Sequence, residues 1–186
     1  MSRFRITQTG MAGLLVIERQ EISDARGSFS RLFCSEELRE CGWPHPIAQI
    51  NHTVTSRRGA VRGLHFQRPP HTEVKQVTCV RGEVWDVAVD VRRNSPTFLR
   101  WHAENLSAGN RRSLLIPPGF AHGFQVLSDG AELIYFHSSA YAPGHEAGLD
   151  VRDVKLAISW PLPIVELSPR DQAHPAIDSG FEGVEL

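Results

Sequence analysis

The chain has 186 residues, 41% hydrophobic and 22% charged, which is enough for one domain over residues 1–186 with a substantial core. Its 20 lysines and arginines offset 21 aspartates and glutamates, so neither general nucleic-acid binding nor a polybasic membrane anchor is indicated. No apolar run approaches the ~20 residues needed to span a bilayer, residues 1–8 carry no apolar signal region, and a cytoplasmic protein is expected.

The first turn signal is Asp24-Ala25-Arg26-Gly27. A short helix follows from about Ser35 to Cys41, with Ser35 as the expected N-cap and Glu36 and Glu37 in the first turn. Val74 to Val80 alternates, with Val74, Gln76, Thr78 and Val80 on one face of a strand. After the Arg81-Gly82 turn, residues 83–90 alternate clearly: Val84, Asp86, Ala88 and Asp90 oppose Trp85, Val87 and Val89. Turn signals recur at Asn94-Ser95-Pro96, Ala108-Gly109-Asn110, Pro117-Pro118-Gly119 and Ser128-Asp129-Gly130. Leu114-Leu115-Ile116 and Leu133-Ile134-Tyr135-Phe136 are further strand candidates, and the proline-rich tail after Trp160 is expected to cross the outer surface irregularly. Many short strands with few helices argue for an all-β antiparallel sandwich or barrel, and a jelly roll would enclose a pocket between its sheets. Cys34, Cys41 and Cys79 form neither a disulfide framework nor a zinc spacing, so reduced thiols are expected.

The chemistry-bearing segments are Arg62-Gly63-Leu64-His65-Phe66-Gln67 and Ile116-Pro117-Pro118-Gly119-Phe120-Ala121-His122-Gly123-Phe124. A lone strand histidine is more often a hydrogen-bonded core residue than a base. Two of them, with Arg62 and Lys75 near in sequence, suggest a pocket that binds an anion and moves protons. A phenol such as Tyr135 or Tyr141 can donate a proton opposite a histidine base, although a packed strand tyrosine is the commoner use. In Ser168-Pro169-Arg170-Asp171 the aspartate can orient an imidazole, or the segment is a surface turn. Pro117-x-Gly119-x-x-His122 fits the second half-motif of the cupin superfamily. His71-Thr72-Glu73 is one ligand short of the first, so a metal-free pocket is preferred over a metal site built from His65, His71, Glu73 and His122.

Taken together, these blocks resemble the dTDP-4-dehydrorhamnose 3,5-epimerases and related nucleotide-sugar epimerases over about Gly13 to Pro175. The resemblance includes Asp24-x-Arg26-Gly27-x-Phe29, Gln49-Ile50-Asn51, the two histidine segments, Lys75, Gly82 to Asp90, Ser95-Pro96-Thr97-Phe98, Tyr135, Tyr141-x-Pro143-x-x-Glu146 and Leu167-Ser168-x-x-Asp171. It implies a cupin-type jelly roll, a homodimer, no metal or other cofactor, and a nucleoside-diphosphate 4-keto-6-deoxy sugar as substrate. Carried over residue by residue, His65 is the base with Asp171 behind it, Tyr135 the proton donor, and Lys75 the neighbour of the keto oxygen. Arg26 and Arg62 would hold the diphosphate, Gln49 and Asn51 the nucleotide sugar, and Phe29 and Tyr141 would pack on base or sugar. His122 is implied as a second pocket histidine. The chain departs from the family at Phe136-His137, where lysine commonly follows the tyrosine, and at Val151, where tryptophan is frequent. A single-centre epimerase, or one for a CDP- or GDP-linked sugar, is the alternative, and a metal-dependent cupin oxygenase or isomerase is the more distant one.

Overall fold

The computed structural model describes residues 2–43 and 46–186. The strands in chain order are β1 (Phe4–Gln8), β2 (Leu15–Arg19), β3 (Glu21–Asp24), β4 (Gly27–Ser30), β5 (Gln49–Thr55), β6 (Val61–Gln67) and β7 (Lys75–Arg81). They continue as β8 (Glu83–Asp90), β9 (Trp101–Ser107), β10 (Arg112–Ile116), β11 (Phe120–Val126), β12 (Ala131–His137) and β13 (Glu146–Gly148). Two four-residue helices, α1 (Ser35–Leu38) and α2 (Pro169–Gln172), accompany them. Six strands form one sheet in the order β1-β2-β10-β7-β12-β5, and five form a second in the order β13-β6-β11-β8-β9. All pairings between these strands are antiparallel, and the two sheets face each other as a jelly-roll β-sandwich. Strands β3 and β4 form a separate hairpin.

Alternation along the central strands explains the layering. On β7, Val77 and Cys79 enter the inter-sheet core, where they join Leu114, Ile116, Phe124 and Leu133. On β8, Val84 and Ala88 point the same way, while Val87 and Val89 lie in a second core on the outer face of the five-stranded sheet. That outer face is covered by the C-terminal stretch through Leu149, Val151, Leu156, Ile177 and Val184. The expected irregular path after Trp160 is therefore a covering layer, and the indole N–H of Trp160 is anchored on the Val151 carbonyl at 2.8 Å. A third cluster seats Leu38 and Trp43 against Ile17, Leu115 and Phe136 on the back of the six-stranded sheet. Both sheets are thus buried on both faces over much of their area, which fits the largely apolar runs of β7, β8 and β11.

The early helix differs from expectation. Cys34, in an extended conformation, occupies the N-cap position, and Ser35 is the first helical residue. The helix tightens into a 3₁₀ turn at Arg39–Cys41 and ends at Gly42, whose φ of 95° suits a left-handed cap. Glu37 faces the N-terminal strand instead, and accepts hydrogen bonds from the Ser2 hydroxyl and the Arg3 N–H.

One irregularity decides what β6 presents. His65 is three positions after Arg62, so a regular strand would send them to opposite faces. The β6–β11 register pairs His122 with His65 and Phe124 with Arg62, so two β6 residues oppose the single Gly123. This bulge turns Arg62 and His65 to the same side. It requires backbone contact at two glycines. A Cβ on Gly63 (φ 130°) would lie 2.5 Å from the Gly123 Cα, and one on Gly123 would lie 2.7 Å from the Arg62 carbonyl oxygen. Gly63→Ala is expected to cost roughly 1–3 kcal/mol from overpacking, read as a lowered urea midpoint, and to separate Arg62 from His65.

Candidate active site

Between the sheets, at their open end, lies a cavity of about 720 Å³, a size suited to a small molecule. Of the eleven site residues expected from the sequence, nine line it: Gln49, Asn51, Arg62, His65, Lys75, His122, Tyr135, Tyr141 and Asp171. The remaining two, Arg26 and Phe29, do not line this cavity. They lie on the β3–β4 hairpin, where Phe29 is 63% exposed and Arg26 pairs with Asp24 at 2.6 Å in the turn. The hairpin is joined to neither large sheet, so nothing turns its side chains into the sandwich.

His65 stands on the five-stranded wall. Its Nε2 is 2.8 Å from the Asp171 Oδ1, and the carboxylate is also 3.3 Å from the Gly63 N–H. Asp171 is held by α2, where the Ser168 hydroxyl caps the helix by accepting the Asp171 N–H. Burial pushes the Asp171 carboxyl pKa up, but hydrogen bonding to His65, the imidazole charge and the Gly63 N–H outweigh this and bring it below the ordinary value. With the Nε2 proton directed to the ionised Asp171, the Nδ1 lone pair of His65 is the basic site, and the Arg170 Nη2, which can only donate, then makes no hydrogen bond to the Nε2 that it approaches. Arg170 reaches the same imidazole at 3.1 Å and pairs with Glu146 at 3.0 Å, where Tyr141 also donates at 2.9 Å.

Directly across the β6–β11 ladder, His122 forms a second imidazole–carboxylate pair, 2.8 Å from the fully buried Asp86. Tyr135 projects from the facing six-stranded sheet, with its ring edge-on to His122 and stacked on His137. Burial, then the Asp86 charge, push the phenol pKa up, against smaller opposing pulls from Thr53 and Arg62. The phenol therefore keeps its proton. Lys75 Nζ is 2.8 Å from the Glu73 Oε1, and the other Glu73 oxygen is 2.7 Å from the His137 Nδ1. Burial pushes the Glu73 pKa up, but the Lys75 charge and the His137 hydrogen bond prevail and hold it at about 2. Arg62, on the wall of His65, bonds the Thr55 hydroxyl at 3.0 Å and has no carboxylate partner among the described residues.

The metal reading fares differently. His71 packs on His145 at 4.4 Å between ring centroids and does not line the cavity, so His65, His71 and His122 do not converge. Among the described residues, only His65, Asp171 and His174 bring ligand atoms within 4.8 Å of one another. There the Arg170 guanidinium, 3.1 Å from His65 and 3.6 Å from Asp171, opposes a further cation.

Some contributors were not legible as such. Asp86 alternates with core residues on β8, a signal that it points inward. Glu73 drew attention only as a metal ligand, and His137 only as a departure. His174, edge-on to His65 at 5.4 Å, and Arg170 carried no signal. The departures at Phe136 and Val151 face away from the cavity, Phe136 stacking on Phe33 and Val151 lying in the outer core.

Comparison with known proteins agrees with this architecture. The family profile described as dTDP-4-dehydrorhamnose 3,5-epimerase matches residues 8–179. A protein of that name from Salmonella typhimurium is 41% identical over 178 residues, 95% of this chain and 97% of the relative. A dTDP-4-dehydrorhamnose 3-epimerase from Streptomyces niveus is 41% identical over 90% of this chain and 81% of its own length. The crystal structure of a dTDP-6-deoxy-D-glucose-3,5-epimerase from Legionella pneumophila in complex with dTDP-4-keto-L-rhamnose superposes with a TM-score of 0.90 at 39% identity, covering 97% of this chain and 98% of the other. Fold and site thus define a nucleotide-sugar isomerase of the jelly-roll type. The chain belongs to the dTDP-4-dehydrorhamnose 3,5-epimerase family.

The Glu73 shift carries a consequence for stability. Its folded pKa lies below the usual value of 4.5, so the stabilisation is complete above about pH 4.5 and is lost as pH falls towards 2. The wild-type protein is expected to lose about 3 kcal/mol over that window from this group. Glu73→Gln should flatten that part of the curve, measured by urea unfolding at successive pH values.

Proposed function

We propose that the chain inverts C3 and C5 of a dTDP-4-keto-6-deoxy-D-glucose-type sugar, towards dTDP-L-rhamnose, by proton transfer through an enolate. The observation that carries this reading is that a histidine–aspartate base and a protonated tyrosine line opposite walls of one cavity. The C4 ketone acidifies the hydrogens on C3 and C5. His65 takes one proton on Nδ1, and the electron pair of the broken C–H bond moves into the ketone to form the enolate. The Lys75 ammonium donates a hydrogen bond to the enolate oxygen. Tyr135 then delivers its phenolic proton to the carbon from the opposite face, which inverts the centre. The proton on His65 returns through solvent to the tyrosinate before the next turnover. This sequence uses the chain's own acid, base and donor and calls for no cofactor. Arg62, without a carboxylate partner among the described residues, suits the diphosphate, and Gln49, Asn51 and Tyr141 suit the rest of the nucleotide sugar.

A single-centre reaction is the second reading, favoured by the equal identity to the Streptomyces niveus 3-epimerase. Incubation with the dTDP-4-keto-6-deoxyglucose substrate in deuterated water separates the two. Label at C3 and C5 is expected, and label at one carbon alone would replace the double epimerase with the single-centre enzyme. His65→Ala should slow exchange by about 10²–10⁴-fold, and near-normal exchange in that variant would remove His65 from the base role.

We also infer a cytoplasmic homodimer in which the β3–β4 hairpin of one copy reaches the cavity of the other. The exposed apolar residues support it: Ile22 and Phe29 on the hairpin, and Ile50 and Val54 on the outer face of the edge strand β5. A shared site gives Arg26 and Phe29 a substrate to touch, and the three cysteines are all free thiols. Arg26→Ala and His65→Ala proteins, each impaired alone, should regain activity when dissociated and reassociated together. Activity no greater than the sum of the two would show that each copy is self-sufficient.

A further inference from the structure

We propose that Glu73 and His137 act as a pair of positioning residues for Lys75, holding its ammonium fixed at the cavity wall. The inference rests on the reading of Lys75 as the donor to the enolate oxygen. Lysine carries a compact charge on a flexible four-carbon stem, so its usefulness as an oriented donor depends on what tethers it. Here the tether is a carboxylate two residues earlier in the chain. Glu73 and Lys75 share a side of the extended segment that leads into β7, and Oε1 and Nζ lie 2.8 Å apart. The second carboxylate oxygen is not free to rotate away. It is held at 2.7 Å by the His137 Nδ1, and His137 lies directly opposite Lys75 in the β7–β12 register. The three side chains are 9%, 9% and 11% exposed, so the pair works at low dielectric.

The hydrogen-bond directions outward from this pair are all consistent. The Gln49 Oε1 accepts the Tyr141 N–H at 3.1 Å, the Gln49 Nε2 donates to the Asn51 Oδ1 at 3.0 Å, and the Asn51 Nδ2 faces the His137 Nε2 at 3.4 Å. His137 then donates from Nδ1 to Glu73, which also accepts from Lys75. In this arrangement the His137 Nε2 is the acceptor for the Asn51 amide. The groups that face His137 are Glu73 at Nδ1, Asn51 at Nε2, the Tyr135 ring stacked at 6.0 Å, and Lys75 across the ladder. One Lys75 proton is spent on Glu73, and its two others remain for the cavity.

The test compares Glu73→Gln, His137→Ala, His137→Gln and Lys75→Met by solvent exchange at C3 and C5, with dTDP binding and circular dichroism as checks of the fold. Glu73→Gln keeps the shape and removes the charge. It should lower kcat by roughly 10–100-fold with little change in KM, as expected for a displaced catalytic group. A purely structural role would instead raise KM or weaken dTDP binding together with kcat. His137→Ala should behave similarly but more mildly, and His137→Gln, which can still donate to Glu73, should recover part of the loss. Wild-type kcat in a folded Glu73→Gln protein, while Lys75→Met is inactive, would overturn the positioning role alone. Near-normal exchange in Lys75→Met would overturn the role of Lys75 itself. Should Glu73→Gln fail to fold, equal behaviour of His137→Ala and wild type would overturn the inference.

Discussion

The site depends on the contact between two strand backbones at Gly63 and Gly123. Neither position has room for a side chain, and their approach inserts an extra residue in β6. From that follows the orientation of Arg62 and His65 towards one cavity. The bulge also leaves the Gly63 N–H without a regular ladder partner at that point, and Asp171 accepts it. A local departure from strand geometry therefore aims the base, aims the cation and anchors the carboxylate that orients the base.

Ionised groups inside the sandwich are tolerated because each is given a specific partner. Asp171 answers His65, Asp86 answers His122, and Glu73 answers Lys75 and His137 together. Such pairs gain little net stability over apolar packing, since desolvation offsets the Coulomb attraction. Their worth is geometric: each holds an imidazole or an ammonium in one orientation. Arg62 stands apart, bonded only to a hydroxyl and a carbonyl. A cation left without a counter-charge on the wall of a cavity is the arrangement an anionic ligand completes.

Much of this was readable from residues and some was not, for identifiable reasons. Strands β7, β8, β10 and β12 announced themselves because their alternation serves two apolar faces. Strand β5 did not. Its polar residues Gln49, Asn51 and Thr53 face inward to a polar cavity, and its apolar Ile50 and Val54 face out, the reverse of the usual pattern. Regular alternation would put Arg62 and His65 on opposite faces, and the bulge, which has no signature in the sequence pattern, brings them together. Ser95-Pro96-Thr97-Phe98, one of the blocks carrying the resemblance, serves the fold: the Ser95 and Thr97 hydroxyls donate to the Asp90 carboxylate, which also binds Arg92. Partnerships between distant residues, such as Glu73 with His137 or Arg170 with His65, have no expression in local pattern.

The carboxylate of Asp171 enters from α2, which lines the cavity and follows β13 in the chain. The strand that carries the base is therefore not the part of the chain that orients it: β6 supplies His65, and a segment 106 residues later supplies its partner. The alignment of the base thus depends on the C-terminal stretch being folded against the sandwich.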